Sequence, residues 1–228
     1  MQRKRALKCL WLVLMAIWSL SIQAQKSPTE LSMERQGLVD IQKVDSSIRV
    51  SLMYGRADNF TGQVLYTDLH TAYLHPEAAQ ALRKAQSLLQ RLRPDLSLIV
   101  FDAARPMSVQ QKMYNVVAGT PKNIYVSNPR NGGGLHNYGL AVDISICQKA
   151  TGDTLQMGTL VDHMSPLSHT DKEATLRQQG KLSSKAIENR QLLRRVMREA
   201  GFRQLPSEWW HYNLRSRAEA RQRYRLIK

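Results

Sequence analysis

Asp143 stands between Val142 and Ile144 inside the apolar run Leu140 to Cys147. A carboxylate in such a strand must meet a cation, because an ionised group buried without a partner is too costly for a marginally stable fold. The nearest candidate partner along the chain is His136, in Leu135-His-Asn-Tyr-Gly139. Seven residues would separate the two by about 10.5 Å as helix and about 23 Å as strand, both too far to share an ion whose donors lie about 2 Å from it. A turn removes the difficulty, and Gly139 supplies one, with His136 on a loop and Asp143 on the strand returning beside it. Taken alone, the pair also has a plainer reading as an exposed histidine and a turn-capping aspartate.

A second cluster is Pro206-Ser-Glu208-Trp-Trp-His211-Tyr212-Asn213. In a regular strand Trp209 and His211 share one face while Glu208 and Trp210 take the other, so Glu208 reaches an ion at His211 only if it precedes the regular strand. Pro206 favours that break. The plain alternative is an aromatic core strand with a surface glutamate. Two histidines and one aspartate leave a tetrahedral position open, which is the composition of a catalytic zinc site, although the ligands alone do not exclude other divalent metals. A carboxylate three residues from a ligand is placed to take a proton from water, and Arg105, stiffened by Pro106, is placed either to meet oxyanion charge or simply to pair with Asp102.

The organisation around these residues is that of one domain. Residues 1–24 run from a basic start (Arg3, Lys4, Arg5, Lys8) through an apolar stretch, Cys9 to Ile22, to Ala24, the layout of a cleavable signal peptide. That apolar stretch is shorter than the roughly 20 residues a spanning helix needs, so no membrane anchor is expected to remain and the mature protein is expected to be periplasmic or secreted. Cys147 is then the one remaining thiol, and no intrachain disulfide is available. Residues 25–36 read as a polar linker and 37–228 as the catalytic domain.

Within that domain, Leu38 to Leu52 alternates loosely like a strand. A helix is predicted from His75-Pro76-Glu77 to a stop before Pro94, and a buried strand from Leu96 to Phe101 delivers Asp102 to Pro106. Further helices are predicted from Ser108 to Val117 and from Ser184 to Ala200, with a long loop from Gly119 to Leu135, a last strand near Trp209 to Leu214 and a basic tail helix. Helices and strands without βαβ regularity predict an α+β fold with a largely antiparallel central sheet flanked by helices and the zinc site at the sheet. The chain carries a formal +15, and residues 171–228 hold 15 Lys and Arg against 6 Asp and Glu. This implies solvated helix faces or loose attraction to an anionic envelope; nucleic acid is not expected, because no aromatic-basic binding motif appears.

Taken together, Asp58-Asn-Phe-Thr-Gly62, Asp102-Ala-Ala-Arg-Pro106, His136-Asn-Tyr-Gly139 with Ala141-Val-Asp143, Met157-Gly158 with Asp162, and Glu208-Trp-Trp-His-Tyr212 resemble, in order, the zinc D-alanyl-D-alanine dipeptidases, the group that includes the vancomycin-resistance dipeptidase. The resemblance implies one zinc per chain bound by His136, Asp143 and His211, with Glu208 as general base and then acid and Arg105 polarising the carbonyl. It also implies that Asp162 and Tyr54 meet the free amino end of a small D,D-dipeptide. One departure is Gly134, where the family pattern has a serine two residues before the first zinc histidine. The expected reaction is zinc-dependent hydrolysis of D-alanyl-D-alanine or a close relative by an activated water. The alternatives are a related stem-peptide carboxypeptidase or endopeptidase, and a non-catalytic wall-binding module, against which the retained Glu208 argues.

Overall fold

The computed structural model describes residues 25–228, so the leader predicted over residues 1–24 lies outside the described residues. Helix α1 (Pro28–Arg35) opens the described chain. It corrects the reading of residues 25–36 as a linker: Ser27 and Glu30 form a reciprocal capping box, and Met33 is buried. Glu30 also accepts the backbone N–H groups of His70 and Thr71, which ties α1 to the domain. Composition missed it because only Met33 of its side chains enters the core.

The loosely alternating stretch Leu38 to Leu52 is not one strand. It divides into β1 (Val39–Asp40), a single helical turn α2 (Ile41–Val44) and β2 (Arg49–Val50). Asp40 causes the first break, its carboxylate accepting Gln42 N–H at 2.9 Å and capping the turn. After β3 (Tyr73–Leu74), which pairs with β1, comes α3 (Pro76–Leu92), capped by His75 and ending ahead of Pro94 as predicted. Then follow β4 (Leu96–Asp102), α4 (Met107–Val117), β5 (Ala141–Gln148), the short α5 (Glu173–Gln178), α6 (Ser184–Glu199), β6 (Arg203–Leu205), β7 (Glu208–Asn213) and the basic α7 (Arg217–Arg223).

The main sheet has the order β2-β4-β5-β7-β6; only β2 and β4 run parallel, so the architecture is α+β with a largely antiparallel sheet. Alternation along β5 divides its two faces. Val142, Ile144 and Ile146 join Leu98, Val100 and Tyr212 in a buried cluster with Leu82 and Leu89 of α3 and Leu193 and Val196 of α6. Asp143 therefore points to the opposite face, away from the two amphipathic helices. The floor of that face is a second apolar cluster, including Tyr54, Tyr66, Met113 and Ile227.

Candidate metal centre

Strand register builds two corners of the site. Asp143 lies directly opposite His211 across the β5–β7 pair, and Asp102 opposite Asp143 across β4–β5 beside a register shift. His136 arrives from the other direction, on a 3₁₀ turn (Leu135–Tyr138) that ends at Gly139 with φ +66°. A side chain at Gly139 would meet the backbone nitrogen of His75 at 2.9 Å, so both the left-handed conformation and the close approach require glycine there. The turn is tied to the end of β4: Arg105 N–H donates to His136 O at 3.0 Å, and the Asn137 side chain donates to Arg105 O at 2.8 Å.

The three side chains converge as the spacing argument requires. His211 Nδ1 lies 2.9 Å from Asp143 Oδ1, His136 Nε2 lies 3.3 Å from Asp143 Oδ2, and the two facing ring nitrogens are 3.2 Å apart. These separations suit the edge, about 3.3 Å, of a tetrahedron with donors about 2 Å from its centre. The tautomers agree. His136 Nδ1 faces Ala103 O at 2.7 Å, an atom that only accepts, so the ring's proton is there; His211 Nε2 likewise faces Asn213 Oδ1 at 2.9 Å. The two nitrogens turned inward are then both unprotonated in the neutral rings. Two lone pairs and a carboxylate aimed at one point are stable together when a cation stands between them. Burial pushes the Asp143 carboxyl up; without a metal, a proton carried between the carboxylate and the two imidazoles outweighs this and holds the carboxyl below the usual carboxylate range, the place a bound cation would take.

Asn213 and Ala103 are the residues that sequence reasoning missed. Asn213 carried a usable signal, because it lies two residues beyond His211 and so on the same strand face. Replacing Asn213 by alanine should free the His211 ring and weaken metal affinity roughly 10–100-fold, as measured by competition against a chromophoric chelator.

The remaining sequence candidates line the same cavity of about 450 Å³: Tyr54, Arg105, Asp162 and Glu208 with the three convergent residues. Glu208 does not precede the strand as the alternation argument required; it is the first residue of β7. The break comes instead from a register irregularity, in which Leu205 pairs with Glu208 while the adjacent Gln204 pairs with Tyr212. That irregularity releases Glu208 from strict alternation with His211. Burial raises its carboxyl to about 8.

Arg105 makes the plainer of the two contacts open to it, the pairing with Asp102. Its guanidinium donates to Asp102, through Nε at 2.9 Å, and to Gln110 Oε1 at 2.9 Å, while standing 5.3 Å above the Tyr54 ring and 3.7 Å from Asp143 Oδ2. Tyr54 donates its hydroxyl to Asp162, the single non-glycine among the described residues with positive φ, at +63°. Such strain in a residue facing a cavity marks a position the surroundings enforce. Burial first and the charge of Asp143 second raise Asp162 to about 7.

The flanking motifs turn out to be supports. Asn59 Oδ1 accepts Thr61 N–H at 2.9 Å within a tight turn, setting Phe60 edge-on to Tyr54, ring centroids 6.2 Å apart. Gly158 has φ +83°, and Trp209 Nε1 donates to Thr159 Oγ1 at 2.7 Å, fixing the segment that leads to Asp162.

The chain is similar to known proteins over most of its length. A family model described as D-ala-D-ala dipeptidase matches residues 34–228. A D-alanyl-D-alanine dipeptidase of Escherichia coli (strain K12) is 32% identical over 177 residues, covering 78% of this chain and 84% of that protein. Proteins of the same name from Enterococcus faecium and Streptomyces coelicolor are 25% and 29% identical, covering 78% and 77% of this chain and 92% and 90% of their own lengths.

Proposed function

Since the chain belongs to the D-ala-D-ala dipeptidase family and is a metallopeptidase, we propose that it hydrolyses D-alanyl-D-alanine or a close relative with zinc held by His136, Asp143 and His211. The observation that carries this reading is the convergence of two unprotonated ring nitrogens and one carboxylate beside a buried glutamate. When bound, zinc supplies Lewis-acid polarisation and makes water a stronger acid. Glu208 takes the proton from the attacking water and returns it to the leaving amine, a role that needs one carboxylate in two protonation states near neutral pH. Arg105, held by Asp102 and Gln110, points remaining N–H donors at the carbonyl oxygen as charge develops on it.

Asp162 and Tyr54 meet the substrate's ammonium. A buried carboxyl raised to about 7 by desolvation and a neighbouring charge gains most from a cationic partner, and an ammonium supplies one. The cavity of about 450 Å³ has ample room for a dipeptide.

The test is to offer protein loaded with zinc D-alanyl-D-alanine, the L,L-dipeptide and longer stem peptides. Expected is cleavage of the D,D-dipeptide, lost on chelation and restored by zinc. Cleavage of stem peptides alone, or activity indifferent to chelation, would overturn the reading.

A further inference from the structure

Beyond the metal and its acid-base partner, one wall of the cavity is a continuous line of polar contacts. Asp162 meets Tyr54; Tyr54 stacks beneath Arg105; Arg105 donates to Gln110; Gln110 Nε2 donates to Ser127 O at 2.7 Å; and Ser127 Oγ accepts from Arg217 at 3.1 Å. The line begins at a carboxylate and ends at a guanidinium.

The guanidinium end is differently furnished from the rest. Arg105 and Arg215 line the cavity too, but each is matched by a carboxylate, Asp102 and Glu77. Arg217 has no carboxylate within ion-pairing distance among the described residues. Its contact is the Ser127 hydroxyl, which accepts from it and whose own proton has no acceptor among the described residues.

The place of that hydroxyl is set by Gly134. A Cβ added there would lie 2.9 Å from Ser127 Oγ and 3.3 Å from Ser127 Cβ, so the missing side chain is the room that the Ser127 hydroxymethyl fills. Gly134 has φ −107°, an ordinary conformation for any residue, so glycine here serves space and not backbone geometry. The result is one O–H and one cationic N–H group side by side, both unspent, at the far end of the wall from Asp162. An anion is what satisfies both.

We propose that Ser127 and Arg217 form the subsite for the free carboxylate of the dipeptide. This rests on the dipeptide reading of the site and deepens it. A substrate with a free ammonium and a free carboxylate lies along the wall with its charges matched at the two ends. A C-terminal amide offers no anion to Arg217, and a peptide extended beyond the second residue carries its carboxylate past it.

The experiment compares kcat and KM for D-alanyl-D-alanine and its C-terminal amide, using the zinc-loaded protein and its R217Q, S127A and R203Q variants. Arg203 is the control, a second cavity-lining guanidinium without an ion pair among the described residues and without contact to Ser127. Expected is a preference of the unaltered protein for the acid, and an R217Q variant whose KM for the acid rises about tenfold with kcat held and KM for the amide unmoved. S127A should reduce the same preference by a smaller factor. The assignment is overturned if R217Q keeps the acid-to-amide preference, if its KM rises equally for both substrates, or if R203Q abolishes the preference instead. Failure of the unaltered protein to cleave either compound would sink the dipeptidase reading itself, a separate result.

Discussion

Replacing Glu208 by glutamine should lower kcat by roughly 10³-fold or more while leaving metal content and KM close to those of the unaltered protein. The amide has the same shape and keeps the hydrogen-bonding oxygen, so the register irregularity that turns Glu208 into the cavity is retained. What disappears is the proton acceptor. The same substitution has a second consequence in protein stripped of metal. Burial raises the Glu208 carboxyl from 4.5 to about 8, so the folded state binds its proton more tightly than the unfolded chain. Its stabilising contribution is therefore complete below pH 4.5 and is lost as pH rises towards about 8. Glu208→Gln removes that loss, and the variant should gain stability relative to the unaltered protein on going from pH 5 to 8, by a few kcal/mol at most. Thermal melts across that range, with kcat and metal content on the loaded protein, check both effects. Turnover near that of the unaltered protein would remove Glu208 from the chemistry.

Sequence made the site legible because its chemistry depends on residue type and on the breaks between regular elements. Gly139 announced the turn that returns Asp143 to His136, and the structure has that turn. The position of Glu208 was legible only as a requirement, since alternation said that something must break between it and His211. Pairing of β6 with β7 breaks it, and β6, a three-residue strand, is too short to leave a period in the sequence. Helix α1 and the divided Leu38 to Leu52 stretch were missed for a related reason: capping by Ser27 and Asp40 decided them, and a single side chain's hydrogen bond outweighed a weak hydrophobic pattern. Tyr54 and Asp162 are 108 residues apart, and no local pattern joins them. Their pairing follows from the turns at Asn59 and Gly158, motifs that resembled a family signature before their structural purpose could be seen.

Removing the Asp102 carboxylate should be the most destabilising single change near the site, by about 3–5 kcal/mol, because it strands a buried charge. Asp102 is fully buried, accepts the Tyr66 hydroxyl at 2.5 Å and receives Arg105 through two nitrogens. In Asp102→Ala the Arg105 guanidinium, itself buried, keeps Asp143 Oδ2 at 3.7 Å as its nearest anion. It then competes with the metal for the same carboxylate. Stability and metal affinity should fall together, the melting temperature by on the order of 10 °C. Asp102→Asn, which keeps the acceptor oxygen and loses the charge, should fall between. The decisive comparison is Asp102→Ala with Arg105→Met added: an apolar chain of similar length removes the stranded charge, so the double variant should be more stable than the single one while remaining inactive. If the second substitution instead adds to the loss, Asp102 serves packing and the Tyr66 contact, and its pairing with Arg105 is not what holds this corner of the site together.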